Sequence, residues 1–156
     1  MSDINKSLLA PCGLYCGVCA VYIADRDDNI KFKEKLVDIY KPIPNSVEGI
    51  KCKGCQSENE ENIFGYCKLC GIRNCVKNKG FEGCYQCDDF PCKYIDRFPI
   101  PVAKKVILRA IPRWKEIGTK KWVEEEEKRY RCPECNNTLF RAAKRCNKCG
   151  SSVDLD

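Results

Sequence analysis

The chain of 156 residues contains no histidine. This removes the one side chain that ordinarily titrates near neutral pH, and with it the usual general acid or base and the imidazole metal ligand. No apolar run approaches the ~20 residues of a membrane span. The beginning, Met-Ser-Asp-Ile-Asn-Lys-Ser-Leu-Leu-Ala, lacks the basic start and apolar stretch of about 7 to 15 residues that a secretory signal needs. A cytoplasmic protein is therefore expected. Nor is there a glycine-rich phosphate loop or a carboxylate pair whose placement is arguable. With 32% of its residues charged, the chain is poorly placed to build a large apolar core, so metal-closed loops are expected to supply part of its stability.

What is abundant is cysteine: fifteen residues, thirteen of them within a Cys-x2-Cys or Cys-x3-Cys step of another. An odd count without an export signal argues against a disulfide scaffold. Two thiolates on one tight turn suit a tetrahedral ion held at roughly 2.3 Å from each sulfur. The reading is a thiolate-only metal protein. It also reinterprets the formal net charge of +6. A divalent ion with four thiolates, or an oxidised four-iron cluster with four, carries a local charge of −2, so three such sites bring the sum near zero. Bulk charge is then no evidence for a polyanion partner.

The cysteines divide the chain into three parts: residues 1–100 hold eleven, 101–131 none, and 132–156 four. The expected architecture is a small α+β fold, metal-stabilised and loop-rich, with an N-terminal multi-knuckle cysteine module, a helical connector and a C-terminal zinc ribbon. In the first part, IKFKEKLVDIY predicts an amphipathic helix through Phe32, Leu36, Ile39 and Tyr40, capped by Asp28 or Asn29 and ended by Pro42. The connector reads as helices punctuated by Pro112 and Gly118. Pro101 and Pro112 suit first helical positions, Val102, Val106, Ile107 and Ala110 share a face, and Thr119 serves as N-cap of the last piece. Glu124 with Lys128, Glu125 with Arg129 and Glu127 with Arg131 make i,i+4 pairs worth ~0.2 to 0.5 kcal/mol each, as on a solvated helix.

Cys132-x2-Cys135 and Cys146-x2-Cys149, ten residues apart, form the strongest motif. Each second cysteine precedes a turn former, Asn136 or Gly150, and the interval can form a short hairpin. A structural zinc is the reading. Arg141, Lys144, Arg145 and Lys148 would be basic contacts for a partner if the ribbon is more than a metal staple.

The other eleven are Cys12, Cys16, Cys19, Cys52, Cys55, Cys67, Cys70, Cys75, Cys84, Cys87 and Cys92. A sequential partition gives one site from Cys52, Cys55, Cys67 and Cys70 and a second from Cys75, Cys84, Cys87 and Cys92, leaving the trio Cys12, Cys16 and Cys19. Cross-braced arrangements remain open, because connectivity does not follow from spacing. Three thiolates with an open position are what catalytic zinc and substrate-binding iron clusters share. The trio has the cysteine spacing of radical S-adenosylmethionine enzymes, but the chain lacks the length and strand–helix alternation of their barrel, and Val18 stands where an aromatic residue usually precedes the last cysteine. The competing reading makes one or two of the trio small buried apolar side chains. Asp25, Asp27 and Asp28 are near enough in sequence to offer an oxygen ligand.

PCGLYCGVCAVY, CKGC, YCKLCGIRNCVKNKG and CYQCDDFPC together resemble a family of small cysteine-rich bacterial and archaeal proteins, described as a domain of unknown function and held to bind zinc. KEIGTKKWVEEEEKRYRCPEC is similar to the linker and ribbon of some members. The resemblance implies metal binding and no particular activity.

Three functions are weighed. The favoured one is a non-catalytic zinc-binding adaptor whose partner is a protein. Nucleic acid is a lesser candidate, through Trp114 and Trp122 interleaved with Arg113, Lys115, Lys120 and Lys121, against which stands the tendency of both indoles to pack inward. The second function is an iron–sulfur protein with [4Fe-4S] in the N-terminal part, although the tight ferredoxin run is missing. The third is a metal-thiolate enzyme acting through the trio.

Overall fold

The computed structural model describes residues 3–156; Met1 and Ser2, where the N-terminal stretch read for a secretory signal begins, lie outside it. Its α-helices are α1 (Ala20–Arg26), α2 (Ile30–Tyr40), α3 (Gly65–Lys68), α4 (Gly71–Lys79), α5 (Lys93–Asp96), α6 (Pro101–Ile117) and α7 (Thr119–Arg129), joined by single 3-10 turns and loops. The fold is small, helix-rich and loop-rich. Its β part is slight: among the described residues, two isolated antiparallel bridges, Arg131 with Thr138 and Arg145 with Ser152. No helix among them is long and apolar enough to cross a membrane.

Helix α2 forms where its sequence predicts. The Asn29 side chain accepts the Phe32 N–H at 3.1 Å and caps it, Leu36 and Val37 are buried, and the helix stops before Pro42. Ile39 departs from the expected face: it is 72% exposed, because the buried stripe runs through Lys33, Leu36 and Val37 instead.

Pro101 opens α6 as expected, but Pro112 does not divide it. The helix runs unbroken to Ile117, since burial of Val106, Ile107, Ala110, Ile111 and Trp114 along one stripe outweighs the backbone hydrogen bond that proline cannot donate. The break comes at Gly118, whose φ of 82° favours glycine. Gly118, not Thr119, is the N-cap of α7. Thr119 instead ties the helical corner to the N-terminal part, because its hydroxyl accepts from Trp114 Nε1 at 2.9 Å and donates to Glu82 at 3.1 Å.

Trp114 and Trp122 are both fully buried. Their rings stack 4.0 Å apart at an interplanar angle of 4°. Tyr85 lies against Trp114 at 4.5 Å and Tyr15 meets Trp122 edge-on at 5.9 Å. This spine of four rings joins the corner to two knuckles, since Tyr15 follows Cys12-Gly-Leu and Tyr85 follows Cys84. The indoles thus present no face to solvent, and the exposed Arg113, Lys115, Lys120 and Lys121 stand around a buried stack.

The acidic face of α7 makes long-range contacts in place of the expected i,i+4 pairs. Glu125 binds Arg113 at 2.6 Å. Glu127 accepts from the Tyr15 hydroxyl at 2.9 Å. Glu126, only 2% exposed, binds Arg109 at 2.6 Å, and Arg109 also donates to the Tyr130 hydroxyl, which in turn donates to Asp156 at 2.8 Å. Breaking a buried pair costs ~3 to 5 kcal/mol, and with Arg109 still 29% exposed the Glu126→Ala variant should lose about 2 kcal/mol. Glu126→Gln, which keeps a hydrogen-bond acceptor, should fall between it and the parent in urea denaturation.

Buried side chains gather in three groups. The first core draws on Leu8, Leu9, Val18, Ile72, Ile95 and the α6–α7 residues, the second on Val21, Ala24, Leu36, Val37, Ile50 and Phe64, and the third is the C-terminal set around Leu139 and Ala143. Cysteines belong to all three.

Candidate metal centre

The C-terminal segment consists of two nearly identical turns. Asn136 N–H bonds the Cys132 carbonyl at 2.9 Å and Gly150 N–H the Cys146 carbonyl at 3.0 Å; Cys132 N–H reaches the Asn137 carbonyl and Cys146 N–H the Ser151 carbonyl, both at 2.9 Å. The residue after each second cysteine takes a left-handed backbone, Asn136 at φ 60° and Gly150 at φ 77°, which asparagine and glycine tolerate best. That bend turns both thiols of a knuckle to the same side.

The four sulfurs of Cys132, Cys135, Cys146 and Cys149 lie within 4.8 Å of one another. Cys132 to Cys149 and Cys135 to Cys146 are each 3.6 Å. A tetrahedron with metal–sulfur bonds of ~2.3 Å has sulfur–sulfur edges of ~3.8 Å, whereas a disulfide needs ~2.05 Å. All fifteen cysteines are free thiols. The arrangement fits one thiophilic ion. Two of the four thiols are drawn toward thiolate: the N–H groups of Cys149 and Lys148, with the neighbouring thiols, draw Cys146 down to about 6, and the Ser151 hydroxyl and N–H lower Cys149, while Cys135, sharing hydrogen bonds with the other three thiols, is pushed up to about 11. Lys148 N–H points at the Cys146 sulfur at 3.4 Å.

Of the basic residues expected as ribbon contacts, Lys144, Arg145 and Lys148 are exposed. Arg141 is instead an internal clamp. Its N–H donates to the Val18 carbonyl at 2.7 Å and its guanidinium to the Tyr15 carbonyl at 2.9 Å. The ribbon is thereby fastened to the Cys12–Cys19 segment, a contact between residues too distant in sequence to be legible there.

Backbone contacts assemble the N-terminal knuckles. Gln56 N–H bonds the Ser7 carbonyl at 3.0 Å, Cys84 N–H the Pro11 carbonyl at 2.9 Å, and buried Arg73 donates to the Cys55 carbonyl at 2.8 Å. Gly54 permits the first approach: at φ 118°, a Cβ there would stand 2.2 Å from the Ser7 oxygen. Asp25, read as a possible ligand, is a brace. Burial alone would raise its carboxyl, but the Cys52 N–H at 3.1 Å, Lys53 at 3.2 Å and Lys33 at 3.4 Å hold it below the usual carboxylate range. Asp27 pairs with Arg26 and Asp28 with Lys33.

The N-terminal sulfurs are grouped more loosely. Among the described residues, no three of them meet the 4.8 Å spacing of the ribbon. Burial pushes Cys84 up to about 12, and Cys92, Cys87 and Cys75 are near enough to add to the effect; Lys79 Nζ donates to Cys87 at 3.3 Å. The trio does not stand apart as the sequential partition has it. Cys55 N–H donates to the Cys16 sulfur at 3.4 Å, and the two side chains share a hydrogen bond that lowers Cys16 and raises Cys55. Cys12 is buried and pushed up to about 12 by that burial. Cys19 packs against the second core, whereas Cys12 and Cys16 belong to the first.

The sequence profile of one family, described as "Protein of unknown function (DUF3795)", matches residues 8–97, the span that includes all eleven N-terminal cysteines. No curated protein and no solved structure matches the chain.

Proposed function

We propose, for a chain that belongs to the DUF3795 family, that it is a zinc protein acting as a non-catalytic interaction module, its C-terminal ribbon holding one zinc through Cys132, Cys135, Cys146 and Cys149. One observation carries the metal reading: four thiol sulfurs converge to within 4.8 Å at tetrahedral spacing. Zinc is preferred over a four-iron cluster at this site because each thiolate of such a cluster binds a separate iron, which spreads the sulfurs further than a single ion does. The residues present supply all four ligands, so the bound ion would be closed to substrate and serve as a staple.

The adaptor reading is supported by what the ribbon leaves outward. Lys144, Arg145 and Lys148 are exposed around the candidate centre, while Arg141 fastens the ribbon to the Cys12–Cys19 segment. A basic tip of this kind suits an acidic protein surface.

Elemental analysis of protein purified without oxygen, with its visible spectrum, tests the metal assignment. About three to four zinc ions per chain and a colourless solution are expected. Iron with acid-labile sulfide and a band near ~400 nm would replace this reading with an iron–sulfur one. The interaction half is tested by affinity capture with the parent and with Lys144→Glu/Arg145→Glu/Lys148→Glu: a partner held by both equally would show that the ribbon tip is not the contact.

A further inference from the structure

After its last knuckle the chain returns to the helical body. The Val153 N–H bonds the Lys144 carbonyl at 3.0 Å, and Leu155 packs against both the first core and that of the ribbon. The Asp156 carboxylate accepts from the Tyr130 hydroxyl at 2.8 Å and from the Ala142 N–H at 3.3 Å. Residues 154–156 thereby form one wall of a cavity of about 270 Å³, whose other wall is Lys105, Val106 and Arg109 of α6 with Arg129 of α7. The lining is aliphatic at Val106 and Leu155, with three cations on the helical side and two carboxylates opposite.

The three cations are unevenly engaged. Arg109 is bound to Glu126 at 2.6 Å. Lys105 and Arg129 are exposed, and among the described residues neither makes an ion pair or a side-chain hydrogen bond. Glu125, within electrostatic reach of Arg129, is held by Arg113 at 2.6 Å. Exposed basic residues are ordinarily just solvated. These two differ in facing one cavity together with a third cation and a segment of opposite charge. That segment, Asp154-Leu155-Asp156, displays the chemistry that fits: an aliphatic side chain seated between cores, with a carboxylate on either side.

We propose that the groove between α6 and α7 is an interaction surface for a protein segment of alternating acidic and aliphatic residues, and that residues 154–156 are a built-in competitor for it. Such a surface presupposes that the chain is an interaction module, yet it depends on neither the metal nor the ribbon tip, since Lys144, Arg145 and Lys148 do not line the groove. With residues 154–156 seated, their two carboxylates oppose an incoming anion. With them displaced, Lys105, Arg129 and the Tyr130 hydroxyl are free to receive one. The apparent affinity for the partner is then lowered in proportion to the share of chains whose groove is covered.

An amide-ended copy of residues 151–156 carrying an uncharged fluorophore, titrated with the intact chain and followed by anisotropy, tests both parts. Asp154→Asn/Asp156→Asn removes the two charges but leaves an acceptor for the Tyr130 hydroxyl, so the fold is kept while the segment competes less. This variant should hold the peptide roughly tenfold more tightly than the parent. Adding Lys105→Glu/Arg129→Glu, at exposed positions without partners, should weaken it again by about tenfold or more, and salt should weaken binding to the parent groove. Equal affinity of the parent and the Asn variant would overturn the role of residues 154–156. Retention of the peptide by the Glu variant, or no binding by any chain at ~1 mM, would overturn the groove. So would displacement by an equal concentration of inorganic phosphate, which would make it a small-anion site. Loss of the peptide in Lys144→Glu/Arg145→Glu/Lys148→Glu alone would overturn the groove while leaving the ribbon tip as the contact.

Discussion

Stripping the metal with a chelator under reducing conditions should unfold residues 132–156, with their amide protons exchanging at unfolded-chain rates. The third hydrophobic group is built on Cys132, Leu139, Ala143 and Cys146, and short turns with two isolated bridges order its backbone. So little burial cannot offset the conformational entropy of some twenty-five ordered residues at about 1.5 kcal/mol each. Structural zinc contributes an apparent ~10 to 16 kcal/mol in small modules at neutral pH. The loss should also reach the first knuckle, because Arg141 then releases the Tyr15 and Val18 carbonyls. Unchanged protection in the ribbon after the metal is removed would show that the four thiols are not its staple.

Trp122→Ala should be the most damaging single substitution in the helical body. The residue is fully buried and touches Trp114 and Tyr15, so its removal opens a cavity in the ring spine that connects the corner to the Cys12 and Cys84 knuckles. Tryptophan-to-alanine changes in cores cost ~3 to 5 kcal/mol, a large part of the ~5 to 15 kcal/mol that stabilises a domain. Trp122→Phe should cost far less. It keeps a ring against Trp114 and removes an indole N–H that is buried without a partner. Trp114→Phe should cost more than Trp122→Phe, because the Trp114 N–H bonds Thr119. Urea denaturation of the metal-loaded variants measures all three; a Trp122→Ala midpoint close to the parent's would mean that the stack does not hold the body together.

Local chemistry was the legible part of this chain. The Asn29 cap, the Pro101 start, the Gly118 break and the paired ribbon turns each depend on residues within a few positions of one another. The fit of the four ribbon thiols likewise follows from two short motifs on one small segment.

Pairing across the chain was not legible. Glu125, Glu126 and Glu127 read locally as i,i+4 partners of basic residues on α7, yet they serve Arg113, Arg109 and Tyr15 on other elements. Pro112 reads as a helix start because proline's preference is local, whereas the burial of Ile111 and Trp114 that carries α6 past it comes from packing against other parts of the chain. The Cys16–Cys55 contact joins knuckles separated by two helices, and no spacing rule encodes it. The interleaved tryptophans and basic residues suited a nucleic-acid face only until the stack placed both rings inside.

In the function proposed for this chain, Cys132, Cys135, Cys146 and Cys149 hold a single zinc ion. Anomalous diffraction from crystals of the intact chain, recorded on both sides of the zinc absorption edge, tests it most directly. One zinc peak is expected at the centre of these four sulfurs, ~2.3 Å from each. Bridged sulfurs ~2.05 Å apart in place of that peak, or a peak that follows the iron edge, would contradict it.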